Sequence, residues 1–299
     1  MEKKLSPVVI STALGLGGQG IFPYTLWPAY LRLIKAVRET GAAVLTKSAT
    51  RHPRQGNFIP ANPLTWKYIQ RLPGCGMLNA YGLTNKGVEA AAPRIKKACE
   101  AGLNVIPNLY PEFAKGTETA VRETLEAAGI YQKALGADFW ALELNFSCPN
   151  SEEEIRENAA QALTCSRAVR QQFPDLYLIA KISICHPYEF ARQLESLGVN
   201  AIHAVNTIPY DLVFPQGPPS PLAAVNGGGV SGGPAFAQAY RYNAGLRKFV
   251  KLFLIMGCGV TCLEDAKKYR DVGADAVSIC TLALRNPREA ERIVREYGG

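Results

Sequence analysis

Six consecutive residues, Asn145, Phe146, Ser147, Cys148, Pro149 and Asn150, set a thiol between two primary amides. A cysteine can serve as nucleophile or proton acceptor, and an asparagine offers a planar ligand both donors and an acceptor. Read alone, the hexapeptide is explained as well by a small buried thiol and a turn-forming asparagine. Its setting favours chemistry. The apolar run Phe139, Trp140, Ala141, Leu142, Glu143, Leu144 precedes it and reads as a buried strand, which Pro149 stops. The C-terminal ends of parallel strands are where α/β enzymes place their reacting groups.

Other polar residues occupy the same position on other strands. Ser11 and Thr12 end a β-rich run from Val8, Lys47 and Ser48 follow Ala42 to Leu45, and Asn108 falls in the strand 104–109. Lys181 lies in the strand 177–182, Asn206 and Thr207 follow 201–205, Gly257 and Gly259 follow 253–256, and Cys280 and Thr281 follow 276–279. Helical spacing fills the intervals at 29–39, 86–101, 118–135, 151–172, 188–197, 234–249, 263–272 and 287–297. About eight strands alternate with helices, which predicts an α/β fold of (β/α)₈ TIM-barrel type forming a single domain over residues 1–299. A doubly wound sheet would need a glycine fingerprint that Gly15, Gly17, Gly18 and Gly20 do not space correctly.

One stretch departs from the alternation. After the second strand, residues 51–76 are rich in proline, glycine and asparagine, with 65–71 reading as a short helix, and 76–82 then reads as a strand. With no crossover helix between it and the second strand, this segment is expected to be an excursion covering the C-terminal mouth. A second long interval, 208–233, reads as a loop. A barrel would gather the lysines, asparagines and hydroxyls around one mouth, where stability alone does not require them.

Composition narrows the classes. Lysine and arginine total 33 against 25 acidic residues, a formal charge of +8, but the excess is scattered over helical surfaces such as Arg94, Lys96 and Lys97. That favours anionic small molecules over nucleic acid. Apolar runs are too short for a membrane span, and Met1, Glu2, Lys3, Lys4 does not open a signal peptide, so a cytoplasmic protein without membrane attachment is expected. The 8 cysteines lack paired spacing, which suits reduced thiols and argues against a metal centre. The loop Gly227 to Gly233, with Gly257, Gly259 and Thr281, lies where barrels often hold a phosphate, and so points to a phosphorylated cofactor.

These residues resemble a known family over nearly the whole chain. Leu45 to Ser48, Asn79 to Gly87, the hexapeptide at Asn145, Ala180 to Ile182, Val205 to Thr207, Gly229 to Gly232, and Gly257 to Gly259 with Asp265 are similar to the motifs of the dihydroorotate dehydrogenase family, most like its class 1. The resemblance implies an FMN-dependent oxidoreductase of pyrimidine biosynthesis that oxidises dihydroorotate, or a close dihydropyrimidine, to orotate. It implies that Thr12, Ala13, Lys47, Ser48, Asn108, Asn145, Lys181, Val205, Gly229, Gly232, Gly257, Cys258, Gly259, Cys280 and Thr281 hold the FMN. Substrate would lie among Lys47, Asn79, Ala80, Tyr81, Gly82, Leu83, Asn145, Asn150, Asn206 and Thr207. Cys148 would be the general base, with Lys47 also catalytic. A homodimer is implied, and in one branch of the class an iron-sulfur flavoprotein subunit.

The chain also departs from the family pattern. Ala80 and Tyr81 stand where serine and methionine are usual, Cys280 where glycine is usual, and Ser151 to Glu154 read as an early helix start that shortens the family's lid. Three alternatives follow: a flavin oxidoreductase for another cyclic amide, a degenerate flavin-binding relative without catalysis, and a flavin-free phosphate-binding barrel using Lys47 and Lys181 as a lyase or isomerase would.

Overall fold

The computed structural model describes residues 4–12, 27–146 and 158–298. Ala13, the glycines at 15, 17, 18 and 20, Cys148 and Asn150 lie outside them, as do Ser151 to Glu154 and the first part of the helix expected at 151–172.

Strand β1 (Val8–Ser11) leads to helix α1 (Pro28–Thr40) and strand β2 (Ala43–Leu45). The excursion carries β3 (Ile69–Leu72) and β4 (Gly76–Asn79), then α2 (Gly87–Glu100). Next come β5 (Asn104–Ile106), β6 (Asn108–Leu109), α3 (Thr117–Leu135), β7 (Ala141–Asn145), α4 (Ala159–Gln172), β8 (Tyr177–Ile182), α5 (Tyr188–Ser196) and β9 (Ala201–Ala204). The chain continues through β10 (Ile208–Pro209), α6 (Tyr210–Val213), β11 (Gly229–Ser231), α7 (Phe236–Arg247), β12 (Phe253–Gly257), α8 (Leu263–Asp271), β13 (Ala276–Ile279), α9 (Thr281–Arg285) and α10 (Pro287–Gly298).

The large sheet runs β5-β2-β1-β13-β12-β9-β8-β7-β6, and every pairing in it is parallel. Its two ends, β5 and β6, are halves of one strand separated by Pro107. Proline has no N–H for the ladder. At the break the Pro107 carbonyl still accepts from the Glu143 amide (2.9 Å), while the Asn108 amide turns to the Thr46 hydroxyl (2.9 Å). With β5 and β6 counted together, eight strands follow one another around a closed barrel in chain order, the expected α/β TIM-barrel arrangement.

Apolar residues pack on both faces of the strands, as parallel sheets require. Val9, Ala43, Leu45, Ile106, Ala141, Ile179, Ala201, Ile255 and Ala276 form a cluster inside the barrel, with Leu5, Trp140, Tyr177 and Phe253 against it. The larger core lies between strands and helices. The helices face it with amphipathic stripes; α1, for instance, buries Tyr30, Leu33, Ala36 and Val37 and ends on Gly41 in the left-handed conformation (φ 69°). Among the described residues no helix is long and apolar enough to cross a membrane.

Two expectations need correction. The segment 65–71 is helical only in its first half: a 3₁₀ helix at Pro63–Tyr68, begun by the Asn62 side chain accepting from the Leu64 amide, gives way to β3, which pairs antiparallel with β4. The interval 208–233 is not simply a loop, because β10 and β11 join β4 and β3 in a four-stranded antiparallel sheet. Both stretches looked irregular because their strands are only two to four residues long and obtain their partners from each other, about 150 residues apart in the chain.

Candidate functional site

The barrel interior changes character from one layer to the next. In register, Asn145 of β7 lies beside Lys181 of β8, and Lys181 beside His203 of β9. Glu143 stands two residues before Asn145 on the same face and pairs in register with Asn108. Period-two alternation therefore brings a carboxylate, an ammonium, an imidazole and two amides inside a barrel whose neighbouring layer is apolar. All five residues are buried.

They bond to one another. His203 Nδ1 lies 2.6 Å from one Glu143 oxygen, and Asn108 Nδ2 donates to the other. Lys181 Nζ donates to Ser11 Oγ (3.4 Å), and Asn145 Nδ2 to Ser48 Oγ (2.9 Å). Burial would raise the Glu143 pKa, but the contact with His203, the charge of Lys181 and the hydrogen bond from Asn108 outweigh it and hold the carboxyl below its ordinary range. Burial lowers the His203 pKa, with Lys181 adding to it and Glu143 opposing. The pair is therefore carboxylate and neutral imidazole. Because an ionised carboxylate only accepts, Nδ1 carries the imidazole proton.

Above this layer opens a cleft with a cavity volume of about 140 Å³, partly open to solvent, at the C-terminal ends of the strands. The excursion roofs it. Amides of Asn57 and Phe58 donate to the Tyr81 carbonyl, and a Cβ on Gly56 would lie 2.1 Å from the Gly82 carbonyl oxygen, so the two chains touch along their backbones. This contact sets Tyr81 and Leu83 over the mouth. Lys47 Nζ sits 3.9 Å from the Tyr81 ring centroid, and Phe58 packs on the same ring at 5.0 Å. Burial pushes the Tyr81 phenol up to about 12.

The other wall comes from the small sheet and the last strands. Asn79 Nδ2 donates to the Gly229 carbonyl (3.3 Å), and Thr281 Oγ1 to Ser231 Oγ (2.8 Å). A Cβ at Gly232 would stand 2.1 Å from the Cys75 carbonyl oxygen, and one at Gly259 2.4 Å from Phe236 Cα. Chain packing thus demands both glycines, and both still face the cleft. Asp265 lies away from the cleft and accepts from the Thr261 amide and hydroxyl, anchoring the turn after Gly259. Of the five described non-glycine residues with positive φ, Thr12, Leu83 and Cys258 line the cleft. Such strain gathers where a site over-determines its backbone.

Of the residues singled out in the sequence, the cleft brings together Thr12, Lys47, Ser48, Asn79, Tyr81, Leu83, Asn145, Lys181, Val205, Asn206, Thr207, Gly232, Cys258, Gly259, Cys280 and Thr281. Ala80, Gly82, Asn108, Gly229 and Gly257 do not line it. Ala80 is fully buried, Gly229 belongs to β11, and the Gly257 carbonyl is held by Tyr269 and Asn243. Asn108 lies in the charged layer, and its Oδ1 finds no donor among the described residues. Ser231, Ser278 and His203 were missed, as was Glu143 behind His203. The signal for the last two was legible: an acid and a histidine inside strands otherwise apolar. Among the described residues no cluster of histidine, cysteine, aspartate and glutamate could hold a metal ion.

Comparison with known proteins agrees with this architecture. Over 264 residues the chain is 31% identical to the protein named dihydroorotate dehydrogenase B (NAD(+)), catalytic subunit, of Maridesulfovibrio salexigens, covering 86% of this chain and 81% of the relative. The protein of the same name from Thermotoga maritima is 29% identical over 256 residues, 84% of this chain and 85% of its own. In structure, the chain superposes on dihydroorotate dehydrogenase from Eimeria tenella, crystallised with ferulenol, with a TM-score of 0.69 at 19% identity, covering 97% of this chain and 80% of that one, which establishes the shared fold. The family model described as dihydroorotate dehydrogenase matches residues 31–298. By that match and these relatives, the chain belongs to the dihydroorotate dehydrogenase family of oxidoreductases.

Proposed function

We propose that this chain binds flavin mononucleotide and oxidises dihydroorotate, or a close dihydropyrimidine, to orotate. The family is flavin-dependent, and the observation that carries the reading is the convergence of Lys47, Asn79, Asn145, Lys181 and Asn206 on one strand-end cleft. The residues fit such a group. Lys181 is a buried cation on the cleft wall, and Gly232 and Gly259 bring bare backbone to the cleft beside the Thr281 hydroxyl. Bound there, the flavin supplies a two-electron acceptor for hydride.

The chain's own groups do the rest. Lys181 and Lys47 present positive charge where negative charge develops on the ring. Thr281, with the amides of Gly232 and Gly259, holds the phosphate. Asn145, oriented by Ser48, and Asn79, oriented by the Gly229 carbonyl, present amides to the flat ligand, joined by Asn206 and Thr207. Tyr81 and Leu83 close over it from the excursion and exclude water. Cys148 takes the proton from C5 of the dihydropyrimidine as hydride leaves C6; a thiol of ordinary pKa, about 8.5, needs little help for this near neutral pH. The relatives' name, catalytic subunit of an NAD(+)-linked enzyme, supports a second subunit of iron-sulfur flavoprotein type as electron outlet.

A second reading, oxidation of a different cyclic amide, draws on Tyr81, whose ring with Lys47 and Phe58 occupies the roof of the cleft. One experiment separates the two. Purified protein is expected to be yellow, and anaerobic dihydroorotate should bleach it; bleaching only by another dihydropyrimidine favours the second reading. Cys148→Ala should keep its flavin and lose the bleaching, and bleaching at the wild-type rate would mean that a different base operates.

A further inference from the structure

The charged layer under the cleft contains one group that the proposed reaction does not use. His203 lines the cleft, its Nδ1–H is engaged by Glu143, and its remaining nitrogen, Nε2, carries the lone pair. The charged groups acting on it are Glu143 from β7 and Lys181 from β8, with Asn108 bonded to Glu143; Lys47, Cys258 and Cys280 are the other titratable groups lining the same cleft. At rest the carboxylate and the Lys181 ammonium cancel, and the imidazole is neutral.

We propose that His203 is a proton-holding site coupled to charge in the cleft: it takes up a proton at Nε2 when the bound ring becomes anionic and releases it when the ring is reoxidised. The inference rests on the flavin reading above. A carboxylate bonded to Nδ1–H is the arrangement that stabilises an imidazolium when one forms, without itself accepting the proton. Burial disfavours that imidazolium while the cleft is neutral, and a negative charge above it removes the penalty. The balance is simple. Two electrons and one proton arrive on the ring, leaving it anionic; a second proton comes from solvent to Nε2, and no bond in the protein breaks. His203 is thus a positioning residue for charge, distinct from Cys148, which handles the substrate's proton.

The readout is the midpoint potential of the bound flavin against pH. For a two-electron couple each proton taken up contributes 29.6 mV per pH unit. Flavin-loaded wild-type protein should therefore show about 59 mV per pH unit between about pH 6 and pH 8, and His203→Asn about 30 mV. The reduced-flavin spectrum should stay that of the anion throughout, because the second proton is not on the ring. Equal slopes in the two proteins, or a reduced spectrum that titrates over this range, would overturn the inference while leaving the flavin reading intact. Protein that takes up no flavin would overturn both. Should His203→Asn fail to fold, proton uptake by wild type on anaerobic reduction decides: two protons per two electrons with an anionic spectrum supports the site, and one proton refutes it.

Discussion

Inside the barrel, His203 is buried against a carboxylate at the floor of the cleft; outside it, in the seam between β8 and α5, His186 is buried against a ring and a backbone amide. His186 Nδ1 accepts from the Ser183 amide (3.1 Å) and the imidazole stacks on Phe190 with centroids 4.6 Å apart, so its proton resides on Nε2, the opposite tautomer to His203. No carboxylate lies within salt-bridge reach of it among the described residues. Burial lowers the His186 pKa to about 4. Burial lowers His203 as well, but there Glu143 works against it. Desolvation alone makes an imidazole inert packing, whereas desolvation opposed by a fixed carboxylate leaves a group that a nearby charge can switch.

The sharpest way to break this contrast is Glu143→Ala, which strips both His203 and Asn108 of their buried partner. It also leaves the buried Lys181 ammonium without the carboxylate that balances it, and leaving a buried charge uncompensated costs about 3–5 kcal/mol, to be read from urea unfolding midpoints. A loss of only about 1 kcal/mol, typical of an exposed pair, would mean that the layer is not the tightly coupled unit described.

The seam can be tested by pH. The unfolded His186 takes up its proton near its ordinary value of 6.5, the folded one only near 4, so the stability this burial implies is present above pH 6.5 and lost as pH falls toward 4. The span corresponds to about 3 kcal/mol. His186→Phe should flatten that part of the stability profile while Glu143 and His203 remain in place. An unchanged slope between those limits would place the acid sensitivity elsewhere.

The smallest effect belongs to the roof. Tyr81→Leu removes the ring beneath the Lys47 ammonium, a contact worth about 0.5–2 kcal/mol. A several-fold higher KM with little change in kcat is expected, and an unaffected KM would show that Lys47 is held by other groups. Because the Tyr81 phenol is pushed up to about 12, it stays neutral in the working range and should add no ionisation to the pH profile.

Much of this was legible in the chain. Strands β8 and β13 have the bounds that their apolar runs suggest, since a strand buried on both faces leaves a continuous hydrophobic signature. Lys181 stood out for the same reason: a lysine inside such a run calls for an explanation beyond packing. The small sheet was not legible, because strands β10 and β11 are too short to show a period and pair through distant residues. The glycines were recognised as necessary, but on different grounds. Gly232 and Gly259 are required by Cys75 and Phe236, contacts that no spacing in the sequence announces.

The order of apolar runs, helical stripes and breaks was enough to determine a closed βα barrel and to put amides and lysines at its strand ends, because periodicity and strand direction are local properties. Which polar residues share a layer was decided only in three dimensions. Glu143 meets His203 because strand stagger and the inward pleat of β7 and β9 bring together residues 60 positions apart. The resulting proton arrangement depends on burial and distance, which are properties of the folded barrel rather than of either residue.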